Sequence, residues 1–298
     1  MTMRRILISG ANGQVGFELR RSLAPLGVVT ALTRQDMDLG KADGILAVLE
    51  REQPDVIVNP AAYTAVDKAE SEPDVVRAIN GTAPGVMAEW AASNGATMVH
   101  YSTDYVFSGS GAAPYRESDP TDPQSVYGLT KWEGEQAVRR SGSRHLILRT
   151  SWVVGAHGAN FLKTILRLAR EREQLKVVAD QVGAPTSASL IANVTALLLA
   201  RQGDQPDAFA YGTYHLAAGG ETTWYEYARY VVASAERSGL ALKMKAGDIQ
   251  PIATHEYPLP AKRPANSRLD CGKLTGAFGL HLPDWRHGVD HVFSEMHD

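Results

Sequence analysis

The chain has 298 residues, 44% hydrophobic and 21% charged, a composition that suits one large domain or one domain with a smaller lobe. A formal net charge of -3 argues against a general nucleic-acid binder, which carries a basic excess, while allowing a local basic patch. The single cysteine, Cys271, excludes an internal disulfide. No apolar run reaches the roughly 18 residues of a membrane helix, and "MTMRRILISGANG" lacks a secretory pattern, so a cytoplasmic location is expected with no membrane partner.

Along the chain, "RRILIS" (4–9) predicts a buried strand followed by a helix over 14–26. "VVTALT" (28–33) predicts a second strand, and "ILAVLEREQ" (45–53) belongs to a second helix. "DVIVNPAA" gives a third strand, followed by a long helical stretch over 74–94. "TMVHYSTD" is a fourth strand, 127–140 a helix, and "HLILRTSWV" a fifth strand. Val- and Ile-rich strands alternating with helices predict an α/β fold, a doubly wound, Rossmann-like parallel sheet covered on both faces.

After about residue 151 the alternation loosens. "FLKTILRLARERE" and "TTWYEYARYVVASAERSG" read as amphipathic helices, and the proline-rich "IQPIATHEYPLPAKRPANSR" leaves no room for a long helix or a central strand. Residues 1–151 are expected to form a dinucleotide-binding domain to which segments near 175–218 return. Residues 152–298 are expected to form mainly a smaller C-terminal substrate-binding lobe, without one contiguous boundary.

"ISGANGQVG" places Gly10, Gly13 and Gly16 directly after the first strand, at the opening of the first helix. Glycines allow the tight turn and let the backbone approach a pyrophosphate, which the helix N-terminus attracts. Asn12, Gln14 and Val15 lie in the same turn. At the end of the second strand, "TALTRQDMDLG" offers Arg34, which suits a 2′-phosphate, and then Asp36 and Asp38, which suit a free ribose. With Arg34 first, the order leans toward NADPH and leaves NADH open.

"HYSTDYVFSGSG" puts Ser102, Thr103 and Asp104 at the carboxyl end of the fourth strand, the edge where doubly wound sheets bind ligands. Tyr127 and Lys131 follow one helical turn apart on one face. A free tyrosine, with a pKa near 10, is a poor proton donor at neutral pH, and a nearby ammonium favours its phenolate. His287 and His291 share a helix face, but no matching carboxylate–histidine set accompanies them, and an amphipathic terminal helix accounts for the spacing. No Walker lysine, zinc pattern or G-x-S-x-G elbow is present.

Together the glycine turn, the Thr103 strand end and the Y-x-x-x-K pair resemble the extended short-chain dehydrogenase/reductase superfamily. "VNPAAYTAVDKAESEP", "VYGLTKWEGE", "LRTSWV", "DQVGAPT", "YHLAAGGETTWYEYA" and "KRPANSRLD" extend that resemblance over essentially the whole chain to the dTDP-4-dehydrorhamnose reductase family. That family reduces a nucleotide sugar's 4-keto group with NADPH or NADH, the last step of dTDP-rhamnose synthesis. The resemblance implies Tyr127 as proton donor, Lys131 as its partner and Thr103 as the adjacent hydroxyl. It implies cofactor contacts at Gly13, Gln14, Val15, Asp38, Leu39, Ala62, Tyr63, Thr64 and Tyr101. Asp104, Trp152, Arg263, Asn266 and Ser267 fall where the nucleotide sugar binds.

Some family members dimerise around Mg²⁺ held by glutamates. Glu18 and Glu295 match two of those positions, but the third is Ser189, and Mg²⁺ favours carboxylates. The resemblance therefore implies no metal-bridged dimer, and a monomer or weak homodimer instead. Alternatives that share the fold are a reductase or epimerase for another nucleotide sugar, and a non-catalytic regulatory subunit like the beta subunit of methionine adenosyltransferase.

Overall fold

The computed structural model describes residues 3–204 and 208–296. In chain order its elements are β1 (Arg5–Ile8), α1 (Gln14–Leu23), β2 (Val28–Ala31), α2 (Ala42–Glu52), β3 (Val56–Asn59), α3 (Val66–Ala69), α4 (Pro73–Arg77), α5 (Ala83–Ser93) and β4 (Thr97–Thr103). There follow α6 (Val126–Arg140), β5 (Arg144–Thr150), β6 (Val153–Val154), α7 (Phe161–Glu171), β7 (Leu175–Val178), β8 (Val182–Gly183), β9 (Thr186–Ser187) and α8 (Ala188–Asp204). The last are β10 (Gly212–His215), β11 (Thr222–Thr223), α9 (Trp224–Arg237), β12 (Ile249–Ile252), α10 (Gly272–Phe278) and α11 (Trp285–Glu295).

Six strands form one parallel sheet in the order β10-β5-β4-β3-β1-β2. Strand side chains alternate between two faces, and each face finds its own apolar helix layer. Ile6, Ile8, Val58, Val99 and Leu148 pack with Leu19 and Leu23 of α1 and Ile191 and Leu198 of α8. Leu7, Ile57, Met98 and Ile147 pack with Ile45 and Leu49 of α2, Met87 of α5 and Val138 of α6. The inner strands β1, β3, β4 and β5 are buried over most of their length, unlike the edge strands β2 and β10, and this explains their nearly unbroken hydrophobic runs.

The strand order reverses between β1 and β3, so the crevice for a ligand opens where the chain leaves these two strands. The long helical stretch expected over 74–94 is interrupted. Between α4 and α5, residues 78–82 form a π-helical turn. That turn brings the Asn80 carbonyl against Gly134 of α6, where a Cβ would lie 2.2 Å from its oxygen.

A second core gathers Leu162, Ile165, Tyr227, Val231, Trp285 and Val289 from α7, α9 and α11. Of the stretch near 175–218, α8 packs on α1 and β10 extends the sheet, whereas β7 pairs with β12 and β8 with β11. Pro251 sits in β12, which belongs to a two-stranded sheet and so has a free edge for a residue without an N–H. Among the described residues, no helix is long and apolar enough to cross a membrane.

Candidate active site

The turn after β1 is shaped by two close approaches. Gly10 adopts φ +61°, and a Cβ there would lie 2.8 Å from the Cβ of Ala61, just past β3. At Gly16 a Cβ would lie 2.1 Å from the Gly10 carbonyl oxygen, so only glycine lets α1 start so close to the turn. Gly13 caps α1 in ordinary extended geometry without a side-chain cap, and no acidic residue occupies the first turn. The helix therefore points main-chain N–H groups and its positive dipole end at the crevice, a cradle that fits a dinucleotide pyrophosphate.

The rest of the crevice follows from the strand ends. Arg34 is exposed, with Nε 3.8 Å from Asp38 Oδ1, while Asp36 turns back to accept from Thr33 N at 2.8 Å. Leu39 is buried and packs in the core, so only its main chain lines the surface. Ala62 and Thr64 lie on the loop after β3. Between them Tyr63 is held by Asn80, which accepts from Tyr63 N at 2.8 Å and donates to Tyr63 O at 3.0 Å; its phenol is tied to Glu72.

β4 delivers its last residues to the same edge, opposite Thr150 of β5. The Thr103 hydroxyl donates to Asp104 Oδ1 at 3.0 Å, and Asp104 Oδ2 has no hydrogen-bond partner of good geometry. Burial pushes the Asp104 carboxyl up to about 6, partly offset by the Ser267 and Thr103 hydroxyls. Buried Thr150 Oγ1 and Ser151 Oγ also lack protein partners. Buried polar groups call for a partner, and a ligand at this strand edge would supply one.

Ser125 caps α6 by accepting from Gly128 N at 3.1 Å, and this fixes Tyr127 in the first turn above Thr103. Burial raises the Tyr127 phenol above its ordinary value, a hydrogen bond with Thr103 lowers it, and Asp104 and Tyr105 raise it further. Tyr105 stands edge-on to the Tyr127 ring at 5.3 Å. Lys131 is buried and donates to the Tyr101 carbonyl at 2.5 Å, with His100 Nε2 at 3.4 Å.

This differs from the expectation that Lys131 adjoins the phenol and lowers its pKa. The ammonium is drawn down toward β4, and burial lowers the Lys131 pKa to about 8 against the favourable pull of Glu135. Glu135 in turn holds Arg149 of β5 through two hydrogen bonds, at 2.8 and 2.7 Å.

The model of the RmlD substrate binding domain family matches residues 3–297. A dTDP-4-dehydrorhamnose reductase of Burkholderia thailandensis is 49% identical over 96% of this chain and 96% of its own. The chain belongs to the dTDP-4-dehydrorhamnose reductase family. The resemblance drawn from its motifs holds over the full length. Among solved structures, a dTDP-4-dehydrorhamnose reductase of Clostridium acetobutylicum superposes with a TM-score of 0.89 at 36% identity, covering 99% of this chain and 100% of that one. That of Bacillus anthracis, in complex with NADP, superposes with a TM-score of 0.86 at 32% identity, with the same coverage.

Within this reductase family fold, the remaining residues singled out from sequence fall into two groups. Trp152 and Ser267 adjoin the strand-end cluster or its lobe: Trp152 follows β5 and stacks on Trp224, and the Ser267 hydroxyl faces Asp104. Arg263 reaches the same region, donating to Asp67 Oδ2 at 2.6 Å and to the Tyr105 hydroxyl at 3.4 Å. The other two serve the protein itself. The Asn266 amide donates to Gly111 O and Ala113 O, both at 2.8 Å, and accepts from Arg268, so its side chain organises the 111–113 loop. Tyr101 turns its ring into the core, where its hydroxyl meets Thr195 at 2.7 Å, and offers the site its carbonyl.

Sequence reasoning missed two further groups. Gln14 Oε1 accepts from Asn160 Nδ2 at 2.9 Å, and the His157 ring meets that of Phe17 tilted by 35° with centroids 3.4 Å apart, so the loop "GAHGAN" lies against the first turn of α1. His100 and Asn59, hidden in strands, lie beneath Lys131. Glu18 pairs with Arg21, Glu295 with His291, and Ser189 with Ser187. Among the described residues no group of three or more His, Cys, Asp or Glu side chains is placed to hold a metal ion.

Proposed function

We propose that this chain reduces the C4 keto group of dTDP-4-dehydro-L-rhamnose to give dTDP-L-rhamnose, the last step of dTDP-rhamnose synthesis. The observation that carries the reading is the hydrogen bond of Tyr127 with Thr103 at the carboxyl end of β4, with Lys131 one helical turn on and bound to the Tyr101 carbonyl of that strand, in a chain of this family that also has the glycine cradle. A bound reduced nicotinamide supplies the hydride. The Tyr127 phenol donates its proton to the C4 oxygen, which otherwise gathers negative charge. The Thr103 hydroxyl hydrogen-bonds that oxygen and polarises it. Lys131, with one N–H held by the Tyr101 carbonyl, keeps further donors for the cofactor.

In the same reading Gly10, Asn12, Gly13, Gln14, Val15 and Gly16 cradle the pyrophosphate. Arg34, exposed at the end of β2, supports NADPH over NADH, since a guanidinium grips a 2′-phosphate through paired hydrogen bonds. Asp104, Trp152, Arg263 and Ser267 face the nucleotide sugar, with Arg263 on its diphosphate. Ser189 in place of a metal-binding carboxylate supports a monomer or weak homodimer.

The test is absorbance of the reduced nicotinamide with enzyme, dTDP-4-dehydro-L-rhamnose and either NADPH or NADH. Sugar-dependent oxidation, faster with NADPH, is expected, with dTDP-L-rhamnose as product. No oxidation with either cofactor by folded, cofactor-binding protein overturns the reading, and a 6-deoxytalose product overturns the stereochemical part.

A further inference from the structure

A buried line of hydrogen bonds runs beneath the candidate site from β1 to α6. The Ala61 main-chain N–H points at Ser9 Oγ at 3.4 Å, and the Ser9 hydroxyl donates to Asn59 Oδ1 at 2.6 Å. Asn59 Nδ2 then lies 3.3 Å from His100 Nδ1, and His100 Nε2 lies 3.4 Å from Lys131 Nζ. Ser9, Asn59, His100 and Lys131 are all buried.

The line has a direction at its start. The Ala61 main-chain amide donates to Ser9 Oγ, and the Ser9 hydroxyl gives its own proton to Asn59 Oδ1. Asn59 is thereby oriented with its amide nitrogen toward His100, and Nδ1 accepts. The proton of a neutral His100 is left on Nε2, facing the lysine. An N–H there cannot accept from an ammonium, but it can donate to the lone pair of an amine. We propose that Ser9, Asn59 and His100 form a directed hydrogen-bond chain that presents a donor to Lys131, keeping this lysine poised between ammonium and amine, with His100 as its positioning residue.

The surrounding charges agree with that assignment. From its own helix Lys131 faces Glu135, which favours the ammonium and is itself held by Arg149 of β5 and Arg139 of α6. From β4 it faces His100 and the Tyr101 carbonyl, while Asp104 and Tyr105 after β4 act on Tyr127. Burial and the neighbouring Lys131 hold His100 well below the usual histidine range, so it stays neutral. The inference rests on the reductase reading for its purpose. Tyr127 gives up one proton per turnover, and the protonation state of Lys131, one turn along the same helix, sets the charge of the pocket in which the phenolate must regain it.

Two measurements test it. Histidine-selective ¹⁵N NMR of the intact protein, with His100 assigned through main-chain connectivity, reads the tautomer without any turnover. A neutral ring protonated on Nε2 across neutral pH is expected; protonation on Nδ1 or a charged ring overturns the proposal. The second is the pH profile of kcat/KM for His100→Gln and Ser9→Ala, each of which lets an oxygen or a lone pair turn toward the ammonium. The alkaline limb should move up by about one pH unit in both. An unmoved limb in folded variants, with only a uniform loss of rate, overturns the proposal. Absence of turnover in the unmodified enzyme would instead remove the reductase reading and leave the tautomer result standing.

Discussion

The indole of Trp152 lies on that of Trp224, ring centroids 3.6 Å apart and 15° from parallel, with Trp152 held at φ +47°. A left-handed backbone is rare for a bulky side chain and costs on the order of 1–3 kcal/mol. The stack with Trp224 helps offset that cost, and Gln181 anchors Trp224 by accepting from its Nε1 at 3.1 Å. Gly183 leaves room on one side: a Cβ there would lie 2.6 Å from Trp152 Cε2. Gly183→Ala should therefore push Trp152 off its seat. If Trp152 faces the sugar, KM for the nucleotide sugar rises about tenfold, equivalent to ~1.4 kcal/mol, while NADPH affinity measured by fluorescence is unchanged. An unaltered KM would remove Trp152 from the sugar site.

Tyr127→Phe deletes the proposed proton donor and keeps the ring against Tyr105. A positioned general acid contributes roughly 10²–10⁴-fold, so kcat should fall at least ~100-fold with cofactor affinity retained. Near-normal turnover would mean that another group protonates the C4 oxygen.

The strand–glycine–helix opening and the Tyr127–Lys131 pair were legible because each rests on local spacing that a short stretch of sequence carries. The partners of Lys131 were not. His100 and Asn59 sit in apolar strand runs, and only the register of β3 against β4 brings them together beneath α6. The π-helical turn at 78–82 shifts hydrogen bonds by one residue without any change of composition, yet it helps aim Asn80 at Tyr63. Asn266 shows the opposite case. Its motif was visible, but the contacts that engage its amide come from a loop some 150 residues earlier in the chain.

Asp104 makes stability depend on pH in an unusual direction. Its carboxyl rises from 3.8 to about 6 through burial, so the folded protein holds this proton more firmly than the unfolded chain. That contribution is complete below pH 3.8 and is lost as pH rises through about 6. A shift of this size corresponds to about 3 kcal/mol. Asp104→Asn, which cannot ionise, should be more stable than the unmodified protein at pH 8, with the gap narrowing at pH 5. Urea unfolding at the two pH values measures both; a gap that is constant or widens toward pH 5 contradicts the assignment.

The last prediction concerns the ion pair that ties α6 to β5. Glu135 and Arg149 are both fully inside the protein and joined by two hydrogen bonds, and Arg149 also lies over the Phe107 ring at 5.0 Å. Bringing both charges out of water is costly, so the pair is poor evidence of net stabilisation, but removing one partner strands the other. Glu135→Gln should destabilise the fold by about 3–5 kcal/mol in chemical denaturation. Replacing both residues by apolar ones, Glu135→Leu with Arg149→Met, should cost less than either single change, because the two fully buried charges that face each other are then both removed. Glu135 also favours the Lys131 ammonium, so the apolar pair should lower the pH at which activity is lost on the alkaline side. A double variant as unstable as the sum of its parts would show that the pair acts through packing rather than charge.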